Sequence, residues 1–334
     1  MIQTWLDKRA VISMLPVLSL LLLLWLTSLS SSVNASEIAI LTSAELPYYK
    51  QAVLGFKAGM PTTTNVKEYN LDGQLARGRE IGKSLRVSPP DLILAVGLKA
   101  TLAAKLEIFD QPVVFCLVLN PEAHGLPASN MIGIAVRPPP EAQLTALRSV
   151  IPHRRRIGVL YDEEHSGSFI REAHRAAKHQ GFELMAVAIH GQVEIPKAVQ
   201  GLLPKIDALW LIQDQTVISE SAIPFYLEST LDAKVPLFTF SSTLVQQGAL
   251  GALVVDGWTV GQQAARIAQS RLKEPDTAMS AIQAPAQPQL AVNVSSAEYL
   301  GLPLSPETMS FAHQRFGGPG AIARKSGPSL DLIP

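Results

Sequence analysis

The chain has 334 residues, of which 47% are apolar and 17% charged, a balance that describes a well-buried globular protein and excludes a disordered one. Lys plus Arg and Asp plus Glu each number 28, so no charge excess draws the chain to nucleic acid or to an anionic membrane. The single cysteine, Cys116, excludes an internal disulfide; it lies in the apolar run Val113–Leu119 and reads as a small core residue.

The first 35 residues have the three-part layout of a secretory signal peptide. Lys8 and Arg9 open it, an apolar run extends from Val11 to Leu26, and a polar stretch ends in Val33-Asn34-Ala35, the small residues that a signal peptidase accepts before Ser36. The run is about 16 residues, short of the roughly 20 that a membrane span needs. An uncleaved N-terminal anchor is the alternative. Either reading places the rest of the chain outside the cytoplasm, in the periplasm. No cysteine comes directly after this leader, which argues against a lipid anchor.

From Glu37 onward, short β-rich apolar runs alternate with amphipathic segments. The spacing predicts strands at Ile38–Leu41, Asn65–Tyr69, Asp91–Val96, Val113–Leu119 and Asn130–Val136. Helices are predicted between them at Tyr48–Met60, Gln74–Leu85 and Leu98–Phe109, with Pro140–Val150 next. After the basic break Arg154-Arg155-Arg156, which reads as a solvated surface run, the rhythm restarts. Strands are expected at Ile157–Tyr161, Phe182–Ile189, Ala208–Ile212, Val235–Phe240, Ala252–Val255 and Gln289–Val294. The helices here are Ser166–Gln180, Ile195–Leu203, Thr216–Leu231, Leu244–Gln247 and Trp258–Lys273. Near-continuous apolar strands separated by helices imply parallel sheets covered on both faces. The fold class expected is therefore α/β, with two doubly wound parallel-sheet lobes and an interlobe cleft. The expected division is 1–35 leader, 36–152 first lobe with 275–315 returning to it, 153–274 second lobe, and 316–334 a disordered Gly/Pro-rich tail.

Catalytic motifs are missing. No G-x-S-x-G elbow, dinucleotide G-x-G-x-x-G or P-loop occurs, and His174 and His179 are five apart, off one helix face for a metal pair. The chain is read as a binding protein and not an enzyme, with no cofactor and no metal. In open parallel sheets ligands bind beyond the carboxyl ends of the strands, so the loops there are the candidates. Ser166, Thr216 and Ser241 also make good helix N-caps without any ligand.

Several blocks carry a resemblance. Val235-Pro236-Leu237-Phe238-Thr239 leads to Gln247-Gly248-Ala249-Leu250, then Asp256 near Trp258, then Asn293 and Leu300-Gly301-Leu302-Pro303. Upstream stand Asn120-Pro121 and Gln213-Asp214-Gln215-Thr216. In order and spacing these resemble the substrate-binding components of ABC transporters with a type I periplasmic-binding-protein fold, a family that includes tryptophan- and tyrosine-uptake proteins. Asn120 departs from the family's usual aspartate, Gln215 from its asparagine and Trp258 from its tyrosine. The resemblance implies a monomer that captures a small molecule, an amino acid being the first candidate, by hinge closure and delivers it to a membrane permease. Carried over loop by loop, it implies cleft residues Ser43, Tyr48, Gly97, Lys99 and Asn120 from the first lobe. Ser166, Asp214, Ser241 and Asp256 would come from the second. Asp214 or Asp256 would suit an ammonium group, and Lys99 a carboxylate. The alternative reading is a sensory or adaptor protein that presents the same clamshell to a receptor or envelope partner.

Overall fold

The computed structural model describes residues 36–274 and 282–318; the expected leader and all but the first residues of the expected tail lie outside them. Two sheets organise the chain. The first is built by β1 (Glu37–Thr42), α1 (Pro47–Gly59), β2 (Asn65–Asn70), α2 (Leu75–Val87), β3 (Leu92–Val96), α3 (Leu98–Glu107), β4 (Val113–Val118) and β5 (Met131–Ala135). The chain then passes to the second sheet with α4 (Pro140–Val150), β6 (Arg156–Tyr161), α5 (Glu163–His179), β7 (Glu183–Ala188), α6 (Ile195–Leu202), β8 (Ala208–Trp210), α7 (Ala222–Asp232), β9 (Leu237–Thr239), α8 (Ser242–Gln247) and β10 (Gly251–Val254). It continues through α9 (Gly257–Lys273), β11 (Ile282–Gln283), β12 (Gln289–Asn293), α10 (Val294–Tyr299), α11 (Pro306–Phe311) and β13 (Ala312–Phe316).

The first sheet has strand order β11-β5-β4-β3-β1-β2, all neighbours parallel. The second runs β13-β12-β10-β9-β8-β6-β7 and is parallel except between β10 and β12. Burial on both faces explains the unbroken apolar strands. In β1, Ile38 and Ile40 enter one core cluster while Ala39 and Leu41 enter another, as alternating side chains must. In the second sheet Ala208 and Trp210 face one cluster and Leu209 the other.

Two helices correct the expected division. α4 comes after the first sheet in sequence but buries Leu144, Leu147 and Val150 in a core of the second. α9 comes after the second sheet but buries Val260, Ala264 and Ala268 in a core of the first, against Ala52 and Phe56 of α1. Periodicity shows that a helix has an apolar face and is silent on which sheet that face covers. The return after residue 274 is likewise smaller than expected: β11 joins the first sheet, whereas β12 and β13 join the second. Phe316, expected to open the tail, pairs with Asn293 as the last residue of β13. The chain thus crosses between the sheets three times, at Val136–Pro139, at Val255-Asp256 and at Ala284–Pro288.

Two helix starts also differ. Asp162, not Ser166, caps α5, its carboxylate accepting from Glu164 N at 2.9 Å. α7 begins at Ala222 rather than Thr216, because the preceding residues turn around the buried Asp214 carboxylate.

Candidate functional site

Each crossover is tied to a helix by one side chain. Gln143 of α4 donates to the Pro138 carbonyl at 2.7 Å, and its own Oε1 accepts from the Trp210 indole at 3.1 Å. Tyr48 of α1 donates its hydroxyl to the Val255 carbonyl at 2.8 Å. Burial first, and the Asp256 charge second, push the Tyr48 phenol well above its ordinary range, so it stays a neutral donor. Gln263 of α9 both donates to the Ala284 carbonyl at 2.9 Å and accepts from Ala286 N at 2.8 Å.

Two cavities open beside these crossovers, each lined from both sheets. The larger, about 650 Å³, is walled by the end of β4 with Asn120 and Glu122, by Arg137, and by Glu164, Phe169 and Glu172 of α5. The smaller, about 290 Å³, lies between Tyr48 and Gln51 of α1 and Gln213, Phe240 and Ser241 of the second sheet. Val136 and Pro138 line both cavities, so the first crossover separates them.

A kink delivers the first wall. Leu117 adopts φ 58°, and the β4–β5 register shifts between Cys116 and Val118, the signature of a bulge. Asn120 comes next at φ 48°, its left-handed backbone aiming the amide at the crossover. There it accepts from Arg137 Nη2 at 2.9 Å. Arg137 Nη1 reaches across to the Gln213 carbonyl at 3.1 Å and the Ser166 hydroxyl at 3.4 Å. The guanidinium lies 3.8 Å over the Phe169 ring, whose centroid is 5.8 Å from that of Trp210. Burial lowers the Arg137 pKa to about 10, with Asp214 the foremost charge opposing the shift, so the group remains cationic at neutral pH.

The expected site residues divide into two groups. Tyr48, Asn120 and Ser241 line the cavities, and Ser166 lies buried in α5 under the Arg137 guanidinium. Ser241 also caps α8 through Leu244 N at 3.5 Å. The others hold loops together. Ser43 Oγ accepts from Ala100 N at 2.9 Å and donates to the Val96 carbonyl at 3.0 Å. Gly97 sits at φ 83° with Ser43 Oγ and the Tyr49 hydroxyl so near that a Cβ would stand 2.7 and 2.5 Å from them; only glycine fits. Lys99 is exposed and donates to the Gly73 carbonyl at 2.6 Å. Asp214 is fully buried: one oxygen accepts from Asp162 N at 3.0 Å, the other from Thr216 N at 2.9 Å and Val217 N at 3.3 Å. Asp256 caps α9 through Thr259 N at 3.0 Å. Arg137 and Gln213, by contrast, stand at the centre of the cleft. The sequence holds Gln213 in the block Gln213-Asp214-Gln215-Thr216 without singling it out, and Arg137 carries no signal because it opens the connector Arg137-Pro138-Pro139-Pro140.

Comparison with known proteins fits this geometry. A tyrosine-binding protein of Clostridioides difficile (strain R20291) is 25% identical over 254 residues, covering 72% of this chain and 73% of that protein. The ligand-free, open structure of a substrate binding protein with adhesive properties from Clostridium difficile superposes with a TM-score of 0.72 at 21% identity, over 85% of this chain and 100% of that one. A domain from Streptococcus pneumonia in complex with L-Trp gives a TM-score of 0.62 at 20% identity, again over 85% and 100%. Both structural likenesses establish a shared fold of two mostly parallel sheets. The family model for ABC transporter substrate binding proteins matches residues 37–315, which takes in both sheets, all three crossovers and both cavities. On that match the chain belongs to the ABC transporter substrate binding protein family, a family of solute binders and not of enzymes.

Proposed function

We propose that the chain is the extracytoplasmic solute-binding subunit of an ABC importer, which takes a small molecule between its two sheets and closes on it. The observation that carries this reading is the pair of cavities on either side of the Val136–Pro139 crossover, each walled by both sheets. A ligand there touches both lobes at once and so favours a closed arrangement over an open one, the condition for coupling occupancy to shape. The three crossovers are the hinge, and their anchors Tyr48, Gln143 and Gln263 keep each crossing strand attached to a helix while the sheets approach. A closed shape is then what a membrane permease reads. Tyr48, Asn120 and Ser241 are the ligand contacts among the residues expected from the sequence, with Ser166 supporting Arg137 from beneath. Relatives that bind tyrosine or tryptophan support an amino acid as the first solute to try. The leader-like first 35 residues support delivery across the inner membrane.

The test is thermal unfolding of the protein, refolded to strip carried-over ligand, against amino acids, sugars, nucleosides and carboxylates. A solute at a hundred times its Kd adds about 2.7 kcal/mol, or roughly 5 °C in Tm for a chain of this size. A shift confined to one chemical class is the expected result. No shift from any class overturns solute capture and favours a protein partner for the clamshell.

A further inference from the structure

Among the described residues, Arg137 stands out as a largely buried cation with no carboxylate within ion-pair distance. Its guanidinium is mostly withdrawn from water, yet every acceptor it meets is neutral: the Asn120 amide, the Gln213 carbonyl and the Ser166 hydroxyl. It makes no ion pair, and its Nε–H makes no hydrogen bond. Asp214, the carboxylate whose charge acts most on Arg137, is not hydrogen-bonded to it; its two oxygens accept backbone N–H groups instead. A charge taken out of water with no carboxylate in direct contact is costly, and native proteins retain such a group where something else pairs with it. Arg137 also borders the 650 Å³ cavity, a volume in the range of small-molecule sites. Beside it, the Gln213 Oε1 atom is buried with no hydrogen-bond donor to satisfy it, on the wall of the neighbouring cavity.

We propose that Arg137 is the anchor for a carboxylate on the captured solute, and that the solute carries only this one anionic group. The planar fork matches a carboxylate, and the stack on Phe169 holds the fork in plane. The second half of the proposal comes from Glu122, Glu164 and Glu172, exposed carboxylates contributed by both lobes to the rim of the same cavity. They repel a second anionic group and welcome a neutral or cationic remainder. Phosphate esters and di- or tricarboxylates are therefore excluded, and monocarboxylates and amino acids are admitted. The inference rests on solute capture in the cleft as proposed above.

The experiment titrates the full chain with acid–amide pairs: L-tyrosine and tyrosinamide, L-arginine and argininamide, 4-hydroxyphenylacetate and its amide. Succinate, inorganic phosphate and ribose complete the panel. At least one acid is expected to bind, with its amide weaker by about 10- to 100-fold, the loss set by a charge-assisted hydrogen-bonded pair. Arg137→Gln is expected to weaken the acid by the same factor and to leave the amide unchanged. Arg137→Lys, which keeps the charge and loses the fork, falls between them. Equal weakening of acid and amide by Arg137→Gln would show a structural role and overturn the proposal, as would tightest binding by succinate or phosphate. Binding of ribose or of amides alone would overturn it too, while leaving solute capture intact. Failure of every probe removes solute capture itself, and the anchor with it. Circular dichroism of Arg137→Lys and Arg137→Gln confirms that each variant titrated is folded.

Discussion

Asp207 illustrates how single carboxylates fasten this fold. It accepts from Arg156 Nη2 at 2.8 Å, Arg156 N at 2.8 Å and Arg155 N at 3.0 Å, joining the start of β6 to the approach to β8. The Arg156 side chain foremost, then these backbone N–H groups, hold its carboxyl well below the ordinary carboxylate range. A depressed folded-state pKa stabilises the fold above the unfolded pKa, near 4, and that contribution is lost as pH falls below it. Asp207→Asn is expected to lower stability by about 1 kcal/mol at pH 7, a modest figure because Arg156 is half exposed and water screens the pair. In urea melts the difference from the parent chain should shrink between pH 4 and pH 2. A difference that persists unchanged at pH 2 would rule out this account. The same chemistry explains what was legible at the site. Strand-end position led to Asn120 and Ser241, which line the two cavities, because a parallel sheet delivers its loops to one edge. Asp214 and Asp256 carry the right charge for an ammonium, but backbone N–H groups engage both oxygens of Asp214 and one of Asp256, and no sequence pattern reveals how many acceptors are taken. Arg137 escaped notice for the opposite reason. Its importance comes from what surrounds it in space, Phe169, Ser166 and Gln213, all distant in sequence.

At the scale of elements, strands were legible and helix placement was not. Burial on both faces leaves runs such as Leu92–Val96 with no polar residue to confuse their reading. Short pieces such as Ile282-Gln283 pair through backbone alone and give no pattern. α1 and α9 contact each other through their backbones. A Cβ on Gly261 would stand 2.0 Å from the Ala52 carbonyl oxygen, and one on Gly55 would stand 2.1 Å from that of Trp258. Neither obstacle is a side chain that swings aside. Gly201, near the end of α6, has nothing within 4 Å of its Cβ position. Gly→Ala therefore has opposite signs at the two places. Gly261→Ala is expected to destabilise by about 1–3 kcal/mol, overpacking exceeding the gain in helix propensity. Gly201→Ala is expected to stabilise by up to about 1 kcal/mol, since only propensity acts there. Thermal melts of the pair decide it, and a shift of the same sign at both sites would sink the argument.

For the whole molecule, the two-lobed α/β architecture was legible because the strand–helix rhythm restarts after Arg156. The exchange of α4 and α9 between lobes was not, for it depends on which core a helix joins late in the chain. That exchange has a temporal side. Residues leave the ribosome in order, and the core around Ile38, Ile40 and Leu94 stays open until Val260, Ala264 and Ala268 arrive more than 160 residues after Leu94. The first lobe is thus the earlier to emerge and must wait, its apolar face uncovered, for a helix delivered after most of the second lobe. A fragment of residues 36–152 is expected to show no cooperative unfolding transition by circular dichroism, and to gain one when a peptide of residues 257–283 is supplied. A sharp transition in the fragment alone would mean that this lobe matures without its late helix. In the intact chain, the first half carries an uncovered apolar face until α9 is made, so the order of synthesis itself sets the interval in which it is most open to aggregation.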